Sequence, residues 1–211
     1  MITEIGTIYI TCVQDYEFLN ATHANRIDNL YKIDMDGESL WSLSFEKVVE
    51  RNARALIDAS EYYDRTLYFN YYDKLYKIDP VKGKIEWVSQ QEYNIQGLVA
   101  FGDEVCIASY DQTKNPHLFL TYFDSNKAEK WEKAFTSHLG VLELKSIELK
   151  QDKIGLNILD TVDGETTGEA FETYSIISTR GEELVEKQWN SSIYFLHRRK
   201  FSLLYSDGYY V

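Results

Sequence analysis

Leu75-Tyr76-Lys77-Ile78-Asp79-Pro80-Val81-Lys82-Gly83-Lys84-Ile85-Glu86-Trp87 fixes the fold. Leu75 to Ile78 is aromatic and apolar, with the short run length of a strand. Asp79 to Gly83 is turn chemistry. Asp can hydrogen-bond the backbone just ahead of it, Pro presets φ, and Gly accepts a positive φ. Apolar character then resumes at Ile85 and closes on Trp87. The segment predicts two antiparallel strands joined by a tight turn.

The same pattern recurs along the chain. Leu30-Tyr31-Lys32-Ile33-Asp34 precedes Gly37 and then Leu40-Trp41. Thr121-Tyr122-Phe123-Asp124 precedes Ser125-Asn126-Lys127 and then Trp131. Tyr174-Ser175-Ile176-Ile177-Ser178 precedes Arg180-Gly181 and then Leu184-Val185. Trp41, Trp87 and Trp131 stand 46 and then 44 residues apart. A repeat near that length matches a unit of four short strands. Two further apolar strands are expected upstream of each hairpin. These are Ala55–Asp58 and Thr66–Tyr71, then Leu98–Phe101 and Val105–Tyr110 around a Gly102-Asp103 turn, then Leu144–Leu149 and Lys153–Leu159.

The hairpins at 30–41, 75–87, 121–131 and 174–185 resemble the repeat of PQQ-like and WD40-like β-propellers. The resemblance is fullest at 75–87, where the Leu-Tyr-x-x-Asp strand, three-residue turn, Gly-Lys and Trp are all present. The third hairpin lacks the Gly, and the fourth has Val185 in place of Trp. The resemblance implies that Trp41, Trp87 and Trp131 lock one blade onto the next. It does not imply the quinone cofactor, because the quinoprotein enzymes with this repeat are far longer. The expected fold is all-β, a single β-propeller domain over 1–211 with about five four-stranded blades, the terminal blades incomplete. The opening strand, Thr7 to Val13, sits where a second strand should be. The closing strands are expected at Ile193–Leu196, Phe201–Tyr205 and Tyr209–Val211.

Composition agrees with this. The chain has 211 residues, and 17 of them are Tyr, a residue that suits pleated, half-buried surfaces. The formal charge of −12 opposes binding to nucleic acid phosphates and to anionic membranes. Met1-Ile2-Thr3-Glu4 has neither the basic start nor the apolar run of a signal peptide. Cys12 and Cys106 lie in apolar, strand-like runs and read as reduced core thiols, for which a cytoplasmic setting is expected.

Consecutive antiparallel strands send alternate connections to opposite ends of a blade. The turns that end each repeat are minimal: 35–37, 81–83, 125–127, 179–181 and 206–208. The connections at the other end, 14–27, 111–116 and 160–170, read as long, polar and irregular, and 46–52, 90–96 and 136–142 join them. Long loops on a rigid scaffold are where binding concentrates. The candidate partner-binding residues there are Asp15, Tyr16, Glu17, Glu46, Glu50, Glu92, Tyr93, Tyr110, Asp111, Asp160, Asp163 and Glu165. Arg26, Lys47, Arg51 and Lys114 stand against them. Tyr among carboxylates suits the grip of Arg and Lys through hydrogen bonds and cation–π contacts.

Nothing catalytic stands out. There is no nucleophile elbow, phosphate loop, dinucleotide fingerprint or Cys-x-x-Cys pair. His23, His117 and His138 fall near the long-loop end, but their spacing does not suit a metal. Asp34-Met35-Asp36-Gly37 begins like a calcium loop, yet its twelfth position is Phe45 rather than Glu. Asp160 to Glu165 is a weaker cation candidate. His197-Arg198-Arg199-Lys200 is too short a basic run to argue for nucleic acid. The expectation is a non-enzymatic module without cofactor or metal that binds a basic protein, in the manner of an acidic immunity protein neutralising a toxin. The alternatives are a carbohydrate-binding or glycoside-hydrolysing propeller, and a scaffold subunit of a larger assembly.

Overall fold

The computed structural model describes residues 2–4, 7–50, 60–63, 66–111, 117–162, 169–192, 205–206 and 209–210. Every regular element among them is a β-strand. The chain divides into two compact units, residues 1–91 and 92–211.

The first unit holds two four-stranded antiparallel sheets in simple sequential order. Blade 1 is β1 (Ile2–Glu4), β2 (Thr7–Phe18), β3 (His23–Asp34) and β4 (Ser39–Glu50). Blade 2 is β5 (Ser60–Tyr63), β6 (Thr66–Tyr71), β7 (Lys74–Asp79) and β8 (Lys84–Gln90). The second unit repeats the plan. Blade 3 is β9 (Asn94–Phe101), β10 (Glu104–Asp111), β11 (His117–Phe123) and β12 (Glu129–Thr136). Blade 4 is β13 (Gly140–Lys150), β14 (Lys153–Val162), β15 (Glu169–Ser178) and β16 (Glu183–Ser192). A two-stranded ribbon, β17 (Tyr205–Ser206) and β18 (Tyr209–Tyr210), follows.

The four expected hairpins are the β3–β4, β7–β8, β11–β12 and β15–β16 pairs. Each is closed by a polar side chain at or just after the end of its first strand. Asp34 Oδ1 accepts from the Asp36 and Glu38 amides at 3.0 and 2.9 Å. Asp79 Oδ1 accepts from Val81 and Lys82, and Asp124 Oδ1 from Asn126 and Ala128. In the fourth hairpin the Ser178 hydroxyl oxygen takes this role for Arg180 and Glu182. These are Asx and Ser/Thr turns, which the Asp and Ser at those positions encode directly.

Each unit has its own core between its two blades. In the first, Tyr9, Leu30, Phe45, Phe69, Tyr71, Tyr76 and Ile78 come together. In the second, Cys106, Leu118, Leu120, Tyr122, Leu156, Ile158 and Ile177 do. Burying side chains of this size contributes about 1.5–3 kcal/mol each before entropy is counted.

Several expectations need correction. The opening strand has a partner before it: three-residue β1 pairs Ile2–Glu4 with Thr7–Tyr9, so blade 1 has four strands. Residues 14–27 do not form an irregular loop. β2 and β3 run as 12-residue strands joined by a turn at 19–22, where Asn20 Oδ1 accepts from the Thr22 and His23 amides. Burial does alternate along β3, with Ala24, Arg26 and Asp28 buried and Asn25 and Ile27 half-buried, but the buried face carries a charged pair rather than apolar side chains, so the stretch reads as loop. Glu46 to Glu50 likewise belong to β4. Cys106 is a buried free thiol as expected, but Cys12 is exposed. β1 ends opposite Tyr9, and no described strand covers that side of β2 beyond it. The strands expected at Ala55–Asp58 and Ile193–Leu196, most of Phe201–Tyr205, the 206–208 turn beyond Ser206 and the 197–200 basic run lie outside the described residues.

Candidate partner-binding surface

β11 sets the geometry in the second unit. Its even residues Leu118 and Leu120 are fully buried toward blade 4. Strand alternation therefore turns His117, Phe119 and Thr121 to the other face. Tyr93, just before β9, stacks on Phe119 with ring centroids 5.1 Å apart and planes 6° from parallel. Phe119 in turn stacks with His117 at 5.8 Å and 23°. The three rings make a continuous half-buried platform.

Carboxylates surround it. The Tyr93 hydroxyl donates to Glu92 Oε1 at 3.1 Å. Thr121 donates to Glu132 Oε2 at 3.2 Å, from the β12 position opposite it. Asp111 lies opposite His117 across the β10–β11 ladder. The hydrogen bond to Glu92, then burial and the negative charges of Glu92, Asp111 and Glu132, push the Tyr93 phenol above its ordinary pKa. The local field is thus negative, and a cation over these rings would meet both π-faces and carboxylates.

The first unit carries a second acidic surface, on the long strands of blade 1. A bulge between Val13 and Asp15 resets the alternation of β2. Beyond it, Asp15, Ile27 and Glu46 form one cross-strand row, and Glu17, Asn25 and Val48 the next. Asp15, Glu17 and Glu46 are exposed, and Glu46 Oε1 accepts from Asn25 Nδ2 at 2.5 Å. The cations expected to oppose them are engaged on the other face. Arg26 is buried and makes a two-pronged pair with Asp28 at 2.7 and 3.0 Å, while Tyr71 donates to the same carboxylate at 2.9 Å. Lys47 bonds Asp73 at 2.6 Å and sits 4.5 Å over the Tyr72 ring.

The twelve expected residues therefore divide. Glu92, Tyr93 and Asp111 come together in the second unit, and Asp15, Glu17 and Glu46 in the first. Tyr16 shares the Arg26 and Lys47 row and meets Phe18 edge-on at 5.4 Å. Glu50 ends β4 opposite His23. Tyr110 turns toward blade 4, where its hydroxyl oxygen accepts from the Leu142 amide. Asp160 is buried, accepting from the Ser137 hydroxyl and from the His138 and Leu139 amides, so it holds the β12–β13 connection. Asp163, Glu165, Arg51 and Lys114 lie outside the described residues. Phe119 and Glu132 join the surface without having been expected. The buried flanks of Leu118 and Leu120 were the available signal for Phe119.

Among the described residues, no group of three His, Cys, Asp or Glu side chains is placed to hold a metal. The surface offers aromatic faces and carboxylates, which is the chemistry of recognition.

No family model and no curated protein matches the sequence. Solved structures match by fold. The Pan2 WD40 domain of Neurospora crassa superposes with a TM-score of 0.50 at 11% identity, covering 82% of this chain and 51% of that one. BamB from Moraxella catarrhalis gives 0.48 at 17%, covering 83% and 49%. Hsv2 of Kluyveromyces lactis gives 0.45 at 12%, covering 79% and 49%. The chain spans about half the length of these structures. The likeness shows the fold alone: its four-stranded blades are those of a β-propeller.

Proposed function

We propose that this chain is a non-enzymatic binding module that docks a basic protein through its acidic, aromatic-bearing surfaces. The observation that carries the reading is the Tyr93–Phe119–His117 stack bordered by Glu92 and Glu132. Stacked rings beside carboxylates suit Arg and Lys side chains, with flat π-faces for the guanidinium and oxygens for its N–H groups. The net charge of −12 supplies long-range attraction that speeds encounter with a cationic partner. Within this reading the finer proposal is an immunity-type inhibitor of a basic toxin or effector, working in the cytoplasm.

The test is capture from the native host at low and moderate salt, followed by mass spectrometry. A basic protein should be retained by the wild-type chain and lost with Phe119→Ala or with Glu92→Gln/Glu132→Gln. Retention that ignores these changes would overturn the reading. The same aromatic stack suits the face of a sugar ring. A saccharide hit on a glycan array, abolished by Tyr93→Ala, would favour the carbohydrate-binding alternative.

A further inference from the structure

Blade 1 leaves most of one strand unpaired along one side. β1 covers β2 only from Thr7 to Tyr9, while β3 pairs its other side as far as Phe18. Among the described residues, no strand pairs with the β1 side of Ile10 to Glu17. Exposure agrees. Successive strand residues point to opposite faces, so a strand flanked on both sides and packed on one face hides every second residue. Ile10, Thr11 and Cys12 are instead exposed in succession, whereas Leu30 and Asn29, opposite Thr11 and Cys12 on β3, are buried. The backbone N–H and C=O groups along such an edge are a template for one more strand.

The side chains along this edge are sorted by face. The bulge between Val13 and Asp15 puts Asp15 and Glu17 on the same face as Ile10 and Cys12, because their β3 partners Ile27, Asn25, Tyr31 and Asn29 lie two apart along one face. Thr11 and Tyr16, opposite Leu30 and Arg26, take the other face. Among the described residues, neither Asp15 nor Glu17 pairs with a Lys or Arg side chain. Asp15 Oδ1 accepts from the Tyr16 amide at 2.7 Å. Asn25 Oδ1, in the row of Glu17, has no hydrogen-bond donor. The outer face of the edge is therefore negative, with more acceptors than donors.

We propose that the open edge of β2 over Ile10–Glu17 receives an extended, basic segment of a protein partner as an added strand. Main-chain hydrogen bonds supply the affinity, and alternate side chains supply the selection. Lys or Arg at every second position of the segment lies beside Asp15 and Glu17, where opposite charges on neighbouring strands attract. The residues between them lie beside Thr11 and Tyr16 and are apolar. A second copy of this chain is a poorer occupant, because it brings the same carboxylates and like charges oppose pairing. The proposal rests on the reading of a basic partner and adds the form in which that partner is bound.

The test uses the full chain and an end-blocked peptide of alternating Lys and Val. Cys12 reports on the edge, because it is exposed while Cys106, the other thiol, is buried. The peptide should slow alkylation of Cys12 by neutral iodoacetamide several-fold, and slow hydrogen exchange of amides within Ile10–Glu17. The same peptide methylated at every backbone nitrogen keeps its charge but cannot extend a sheet, and it should do neither. Asp15→Lys/Glu17→Lys should abolish both effects. If that variant does not fold, Asp15→Asn/Glu17→Gln, which keeps the side-chain shapes, should weaken them. The proposal is overturned by an absence of saturable protection, or by equal protection from the methylated peptide or from alternating Glu and Val. A wild-type chain that already sediments as a dimer with this edge protected also overturns it. Capture from the native host that fails while Cys12 protection holds counts against the second unit's surface and supports the edge. Capture that succeeds without any protection overturns the edge and leaves the basic partner standing.

Discussion

Trp41 donates its indole N–H to the carbonyl oxygen of Pro80 at 3.0 Å, fastening the last strand of blade 1 to the hairpin turn of blade 2. Lys32, opposite Trp41 in its sheet, donates to the same oxygen at 2.9 Å. The second unit repeats the link between Trp131 and Thr179, also at 3.0 Å. In both, a turn glycine lies directly against the indole. A Cβ on Gly83 would stand 2.5 Å from the Trp41 ring, and one on Gly181 3.0 Å from Trp131. The repeat's Trp and its Gly are thus two halves of one contact, made between successive blades.

This separates two costs of replacing a turn glycine. Gly37 and Gly83 both have positive φ, 87° and 62°, but nothing lies within 4 Å of a Cβ at Gly37. Gly37→Ala should cost about 1–2 kcal/mol, the backbone penalty alone. Gly83→Ala should cost about 1–3 kcal/mol more, because the methyl must displace the indole. Urea unfolding of the two variants measures the difference, and equal costs would remove the packing role assigned to Gly83.

Removing the donor tests the bond itself. Trp131→Phe keeps an aromatic ring over Tyr122, which lies 5.4 Å away and nearly parallel, but loses the N–H to Thr179. The lost hydrogen bond accounts for roughly 1 kcal/mol, and the smaller ring adds a packing loss. Hydrogen exchange should quicken around the 179–181 turn, and an unchanged exchange rate there would argue against the link.

The repeat was legible because its determinants are local. An Asp caps each turn and a Trp lies seven or eight residues beyond it, so Asp34, Asp79 and Asp124 announce their hairpins without tertiary information. The long strands of blade 1 were not legible, because the buried positions of β3 there include Arg26 and Asp28, a charged pair that hides the alternation of burial from a reading of hydropathy. Candidate site residues divided for a related reason. Tyr110 and Asp160 share the loop-end position of Tyr93, but the facing blade, which sequence position does not reveal, turns them inward. The Tyr93–Phe119 stack joins residues 26 positions apart, one just before β9 and one on β11.

Alkaline stability follows from two tyrosines. Burial, then the hydrogen bond from its hydroxyl to Glu104 at 2.5 Å and that carboxylate's charge, push the Tyr122 phenol well up. Burial and the bond to Asp28 do the same for Tyr71. A phenol with a raised folded-state pKa favours the folded state fully below the unfolded value near ~10, and that contribution is lost as pH rises past it. Urea midpoints should therefore fall above about pH 10, the unfolded tyrosine value. Tyr122→Phe should fall less steeply than the wild-type chain, and parallel profiles would remove this assignment.

Acid stability carries the opposite sign. Burial alone would raise the Asp73 carboxyl, but the hydrogen bonds from Lys47 and Gln90, with the Lys47 charge, hold it below the usual carboxylate range. Asp124 is lowered by Lys130 and by the turn amides it caps. A depressed folded-state pKa gives stability that is present above the unfolded value near ~3.9 and lost as pH falls through the folded one. Asp73→Asn should lower stability at neutral pH and flatten the loss below about pH 4, where the wild-type advantage disappears in any case. Thermal melts of both proteins from neutral to acidic pH measure the convergence. A difference that persists undiminished at the lowest pH would show that Asp73 acts through packing and hydrogen bonding rather than through its charge.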